Sequence, residues 1–130
     1  DVTRTYDGLR KELVMTKFMA VYVGSTAGMA KWKAMDEAKR KQSEKAGMEG
    51  WIKWGTVHAK TIVDQGAPLG KTKRISRRGI ADTKNEMTGY TIVEAESHEA
   101  AAKMFENHPH FMIFPGDAVE VMECLPIPKM

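Results

Sequence analysis

The chain has 130 residues, 42% of them hydrophobic and 28% charged, with 20 Lys and Arg against 17 Asp and Glu. That length suits one domain with an ordinary core. A net charge of only +3 lacks the strongly basic footprint of a nucleic-acid binder.

Taken in chain order, Asp1-Val2-Thr3-Arg4 lacks the charged-then-apolar layout of a signal peptide. Met15 makes a natural start. Residues 1–14 are therefore expected to be an N-terminal extension, either non-native or a short amphipathic helix carrying Leu9, Leu13 and Val14, and residues 15–130 to be the α+β domain. Residues 18–23 (FMAVYV) read as a buried strand ended by Gly24-Ser25-Thr26. A long helical stretch follows from about Gly28 to Gln65, with Asp36 as an N-cap and Glu37 in its first turn. Trp51, Trp54, His58 and Ile62, spaced 3, 4 and 4, form its tightest stripe. Gly47, Gly50 and Gly55 each weaken it by about 1 kcal/mol relative to alanine, and a kink is expected near 47–50. Gly66 and Pro68 stop it.

Residues 73–76 are the expected second strand and 79–85 a turn. Residues 88–95 (TGYTIVEA) are the clearest strand in the chain. Ser97 caps a helix with Glu99 in its first turn, and Asn107-His108-Pro109 ends it. Residues 118–124 alternate apolar and acidic side chains, as a strand with one exposed face does; Pro126 and Pro128 terminate it. The order β, α, β, β, α, β predicts a ferredoxin-like α+β fold with an antiparallel sheet and helices on one face. The other face needs a partner, and a homodimer packing sheet on sheet supplies one. No apolar run reaches the roughly 18–20 residues that cross a bilayer. The single cysteine, Cys124, suits a reducing, cytoplasmic setting.

The stretch "QGAPLGKTKR" at 65–74 imitates a phosphate-binding loop. That loop needs G-x-x-x-x-G-K-[ST] between a strand and a helix. Here Gly66 and Gly70 bracket one residue too few, the segment follows a helix and precedes a strand, and Pro68 has no N–H to offer a phosphate. A Gly/Pro-rich turn is the expected reading, with Gly66 and Leu69 free to line a pocket.

Four segments, "WIKW" at 51–54, "IVDQGAPLGKT" at 62–72, "GYTIVEAESHEAAAKMFENHPHF" at 89–111 and "VEVMECLPIP" at 119–128, resemble the YCII-related domain family. The likeness covers residues 17–128. It implies a dimeric α/β barrel on a ferredoxin-like fold, in agreement with the element order, and for most members no assigned activity. A distant branch of the family is thought to use a His–Asp pair near the first helix for proton transfer or lyase-like chemistry. No histidine here precedes His58, so that mechanism does not carry over.

Three groups of residues can carry chemistry. His58, one turn after Trp54, is a candidate acid/base in an aromatic-walled pocket or a packed helix histidine. Asp64, expected at an electrostatically unfavourable helix C-terminus, is either solvated or specifically paired. His108-Pro109-His110-Phe111 is the sharpest cluster: extended, its two histidines face the same way and offer substrate contact, acid/base chemistry or helix-end packing. A metal is not expected, because Cys124 and Glu120 qualify as a third ligand by type alone. The basic run Lys71, Lys73, Arg74, Arg77 and Arg78 has no interleaved aromatics and reads as a charged strand edge, with no nucleic-acid partner.

Two functions fit. The first is a small cofactor-independent enzyme using His58 and His110 for acid/base chemistry, assisted by Asp64. Trp51, Trp54, His108, Phe111, Gly66 and Leu69 then contact a small organic substrate. The second is a non-catalytic binding or dimeric assembly domain.

Overall fold

The computed structural model describes residues 14–129. The expected extension lies, Val14 apart, outside the described residues. Strand β1 (Thr16–Gly24) turns Phe18, Ala20 and Tyr22 to one side, where all three are buried. At Ser25 the chain turns; its hydroxyl accepts the Gly28 amide at 3.0 Å and opens α1 (Thr26–Ala34). Met35 is extended, and Asp36 starts the chain again as α2 (Glu37–Val57), its carboxylate accepting the Lys39 amide at 3.4 Å.

The Asp36 cap is as expected, but the single long helix is not. It divides at Met35-Asp36, runs unbroken through Gly47 and Gly50, and ends at Val57 rather than Gln65. There the His58 carbonyl accepts the amides of Thr61 and Ile62, which takes Ile62 off the helix and into β2 (Ile62–Asp64). Along α2 and its cap, Gly47, Trp51, Trp54 and His58 face inward, while Met48, Ile52 and Val57 are exposed.

Strands β3 (Thr72–Ser76) and β4 (Gly79–Thr83) pair only with each other. Residues 73–76 are thus a strand, but of a separate hairpin, and the expected turn at 79–85 is mostly its second strand. The main sheet takes its second strand from β2 instead. It continues with β5 (Met87–Ala95), helices α3 (His98–Lys103) and α4 (Pro109–Met112), and β6 (Gly116–Glu123). Ser97 caps α3 as expected, through the Ala100 amide at 3.0 Å.

The sheet order is β2-β5-β1-β6 with every neighbouring pair antiparallel, which is the ferredoxin-like arrangement with a hairpin inserted between its second and third strands. Phe18, Ala20, Tyr22, Val93 and Ala95 meet Ala101 and Phe105 of the α3 segment and Trp51 and Trp54 of α2. Alternation puts Met19, Val21, Tyr90, Ile92 and Met122 on the opposite face, in the register Met19↔Ile92, Val21↔Tyr90 and Met19↔Met122. None of the described helices packs there. No described helix is long and apolar enough to cross a membrane.

Gly47 and Gly55 differ in what a side chain would meet. A Cβ on Gly47 runs into the ring of Phe114, which is itself held at 5.8 Å from Trp32 and 6.1 Å from Trp51; a Cβ on Gly55 meets nothing within 4 Å. Gly55→Ala is expected to stabilise by about 1 kcal/mol through helix propensity. Gly47→Ala is expected to lose about 1 kcal/mol net, overpacking outweighing the same propensity gain. Urea unfolding of the two variants checks this, and equal gains at both positions would mean Phe114 yields freely.

Candidate functional site

The α2 stripe closes over a buried histidine. Asn107 takes the left-handed conformation (φ 57°) that ends the turn after α3, and Pro109 begins α4. Between them His108 is the N-cap: its Nδ1 accepts the His110 amide at 3.0 Å. Its ring is fully buried. Trp51 stands perpendicular to it at 4.5 Å between centroids, Trp54 lies at 4.8 Å, Tyr22 at 5.2 Å and Phe105 at 5.8 Å.

Because Nδ1 is an acceptor, the neutral ring carries its proton on Nε2. Nε2 has no hydrogen-bonding partner; it is the one such buried side-chain atom among the described residues. Aromatic rings surround it, and their faces accept an N–H only weakly. Burial, reinforced by His110 and His58, pushes the His108 pKa down to about 4. The ring is therefore neutral at physiological pH.

His110 has a different task. It is nearly buried, its Nε2 donates to the Val23 carbonyl at 2.8 Å, and its ring lies 5.3 Å from Tyr22. A Cβ on Gly116 would overlap this ring, so glycine is what admits it. With Nε2–H committed, the lone pair of the neutral ring sits on Nδ1. His110 lines a cavity of about 570 Å³ together with Ser25, Lys33, Asn85, Glu86 and Thr88. Nearby, the Thr91 hydroxyl donates to the Gln65 carbonyl at 3.1 Å and so accepts from Tyr22 Oη at 2.7 Å. Burial raises the Tyr22 pKa, and the Thr91 hydrogen bond partly offsets it.

The structure thus gathers five of the residues singled out in the sequence: Trp51, Trp54, His58, His108 and His110. His58 caps α2 half-buried, 5.0 Å from the Trp54 ring, and burial lowers its pKa. Trp54 is fixed by its indole N–H, which donates to the Met104 carbonyl at 2.7 Å. His108 and His110 do not extend side by side; they sit on one helical turn with opposite roles.

The other candidates stand apart. Asp64 is exposed on β2, not at a helix end, and its carboxylate accepts the Gly66 amide at 2.8 Å. Gly66 has φ 71°, and a Cβ there would overlap the Tyr90 carbonyl. Leu69 is exposed, its amide donating to the Thr88 carbonyl at 3.0 Å. Since Pro68 bridges to Gly89, this GKT segment is laced to β5. Phe111 lines a separate cavity of about 410 Å³ with His98, Phe105 and Asp117. No group of three or more metal-ligating side chains gathers among the described residues.

Sequence reading missed Tyr22, Thr91, Ser25, Asn85 and Thr88. Tyr22 alone carried a signal: it ends an apolar run facing the core, where a buried phenol must find a partner.

No protein-family model matches the chain, and no curated protein does. Among solved structures, the chain is similar to the 5-chloro-2-hydroxyhydroquinone dehydrochlorinase (TftG) of Burkholderia phenoliruptrix AC1100, determined in complex with 2,5-dihydroxybenzoquinone. Identity is 16% over 81% of this chain and 89% of that one, with a TM-score of 0.49. At this distance the likeness carries no argument about activity.

His108 makes stability depend on pH. Its folded-state pKa of about 4 lies below the ordinary 6.5, so the unfolded chain binds the proton more readily. The contribution is fully present above about pH 6.5 and drains away as pH falls toward 4. The loss between pH 7.5 and 5 is on the order of 2 kcal/mol. His108→Asn, which keeps an acceptor for the His110 amide, is expected to be less stable at pH 7.5 but to flatten this slope in urea titrations. An unchanged slope would show that His108 titrates normally.

Proposed function

We propose that the chain is a YCII-related, cofactor-independent enzyme that moves a proton on a small organic molecule, with Nδ1 of His110 as the base. One observation carries the reading. His110 stands on the wall of the 570 Å³ cavity while its Nε2–H is held by the Val23 carbonyl at 2.8 Å. A base must have its other nitrogen oriented by a fixed acceptor, and the free lone pair must be reachable from a concave site. Lys33 and Glu86 give the cavity lining one charge of each sign, Lys33 suiting an anionic group on the substrate, and Ser25, Asn85 and Thr88 supply neutral hydrogen bonds.

His108 is a positioning residue in this scheme. Neutral and caged, it holds the His110 amide and hence the ring. His58 and Trp54 buttress that cage from the end of α2. Asp64, Gly66, Leu69 and Phe111 have no part in the His110 cavity.

The working unit we propose is a homodimer. The sheet face carrying Met19, Val21, Tyr90, Ile92 and Met122 has an apolar centre, with Glu120 paired beside Val21 and Lys17 paired with Glu94 at one end, and packing two such faces together buries that centre. Cys124 is free and exposed, which suits a reducing, cytoplasmic compartment.

The second reading, a non-catalytic binding or assembly domain, draws on the full burial of His108, since a sealed histidine cluster also serves as core. Nitrogen-edited NMR separates the two. A panel of small carboxylates and hydroxylated aromatics is titrated into the protein and into His110→Gln. The enzyme reading expects at least one compound to shift the His110 ring resonances and to lose about tenfold or more in affinity in the variant. If His110 ignores every compound while the protein stays folded, the assembly reading takes over.

A further inference from the structure

We infer that the β3–β4 hairpin is a clasp that reaches onto β6 of a second copy of this chain, an inference that rests on the homodimer proposed above. The hairpin is anomalous in its own subunit. Every residue from Lys73 to Asp82 is exposed. Ile75 and Ile80 are a directly opposed cross-strand pair, 71% and 73% exposed, on a two-stranded sheet of its own. An isolated two-stranded hairpin is marginal in water, so a surface that covers the isoleucines is what this arm lacks.

Its charge says which surface. Between Thr72 and Thr83 it carries Lys73, Arg74, Arg77 and Arg78 against the single carboxylate Asp82, which Lys73 already pairs. β6 is the converse: Asp117, Glu120 and Glu123 with no basic residue. It is also an edge strand, with one side of its backbone unpaired. Beside it lies the 410 Å³ cavity, walled by Phe105, Phe111, Val119 and Val121 and rimmed by Glu106 and Asp117. An apolar slot with an acidic rim complements an apolar pair with a basic tip.

Topology permits the reach. β2 and β6 are the two edges of the sheet, and the hairpin springs from the β2 side. A twofold axis running along the strands lays the β2 edge of one copy against the β6 edge of the other. Both arms then clasp at once, as an isologous contact must. Arg77 and Arg78 meet the carboxylates of Asp117 and Glu106, and the Ile75–Ile80 pair covers the slot.

The test is sedimentation equilibrium by analytical ultracentrifugation on the full chain, with Ile92→Lys, on β5 and away from β6, reporting on the sheet face. R77E/R78E is expected to raise the dimer Kd by about tenfold or more. E106R/D117R is expected to do the same, and mixing the two variants should restore a heterodimer near the wild-type Kd. Unchanged dimerisation in R77E/R78E, alongside an Ile92→Lys variant that dissociates, overturns the clasp and leaves the sheet dimer standing. A wild-type chain that is monomeric throughout overturns both. Weakening of salt-sensitive binding to anionic vesicles or RNA, with the dimer Kd unmoved, also overturns the clasp and assigns the hairpin to those partners.

Discussion

The structure depends on keeping one uncharged imidazole dry. His108 is where the sheet, the long helix and the short helical turn meet: Tyr22 comes from β1, Trp51 and Trp54 from α2, and Phe105 from the end of the α3 segment. A protonated ring there would be a buried cation among aromatic hydrocarbons with neither nitrogen partnered, a state that desolvation penalises heavily. The fold therefore excludes the proton, and packing and protonation become one constraint. Leucine would fill such a space without that constraint. What histidine adds is an acceptor, Nδ1, for the His110 amide.

That hydrogen bond explains why the second histidine, and not the first, meets the cavity. An N-cap fixes the first turn that follows it. With Pro109 at the start of that turn, little backbone freedom remains up to His110, whose ring lies between Val23 and the open side of Gly116. Orientation of the candidate base is thus built from a side-chain cap, a proline and a missing Cβ.

Much of this was legible in the sequence because it is local or periodic. The 88–95 strand, the Asp36 and Ser97 caps and the Trp51–Trp54–His58 stripe all follow from spacing and side-chain chemistry, and all are present. What was illegible depends on contacts distant in sequence. β2 is three residues long and is a strand only because β5 lies beside it. Residues 73–76 look like a sheet strand by composition, yet the preceding pairing of Pro68 with Gly89 leads them out of the main sheet. The sequence leaves the HPHF cluster open to an extended pair or to packing at a helix end; with Pro109 as the first residue of a helix, His108 becomes its cap and His110 lies in its turn. The His110 cavity joins Ser25, Asn85 and Thr88 from three segments, and no single-sequence pattern links them.

Acid sensitivity and site geometry then follow from a common cause. Lowering the pH toward the range in which His108 accepts a proton does more than cost stability. A ring protonated on Nδ1 can no longer accept the His110 amide, so the cap opens at the same step that charges the core. His110 would lose the support of its backbone before the sheet lost its register, because β1, β5 and β6 are tied by their own backbone ladders. The aromatic cage that keeps His108 out of water at neutral pH is also what makes its protonation costly.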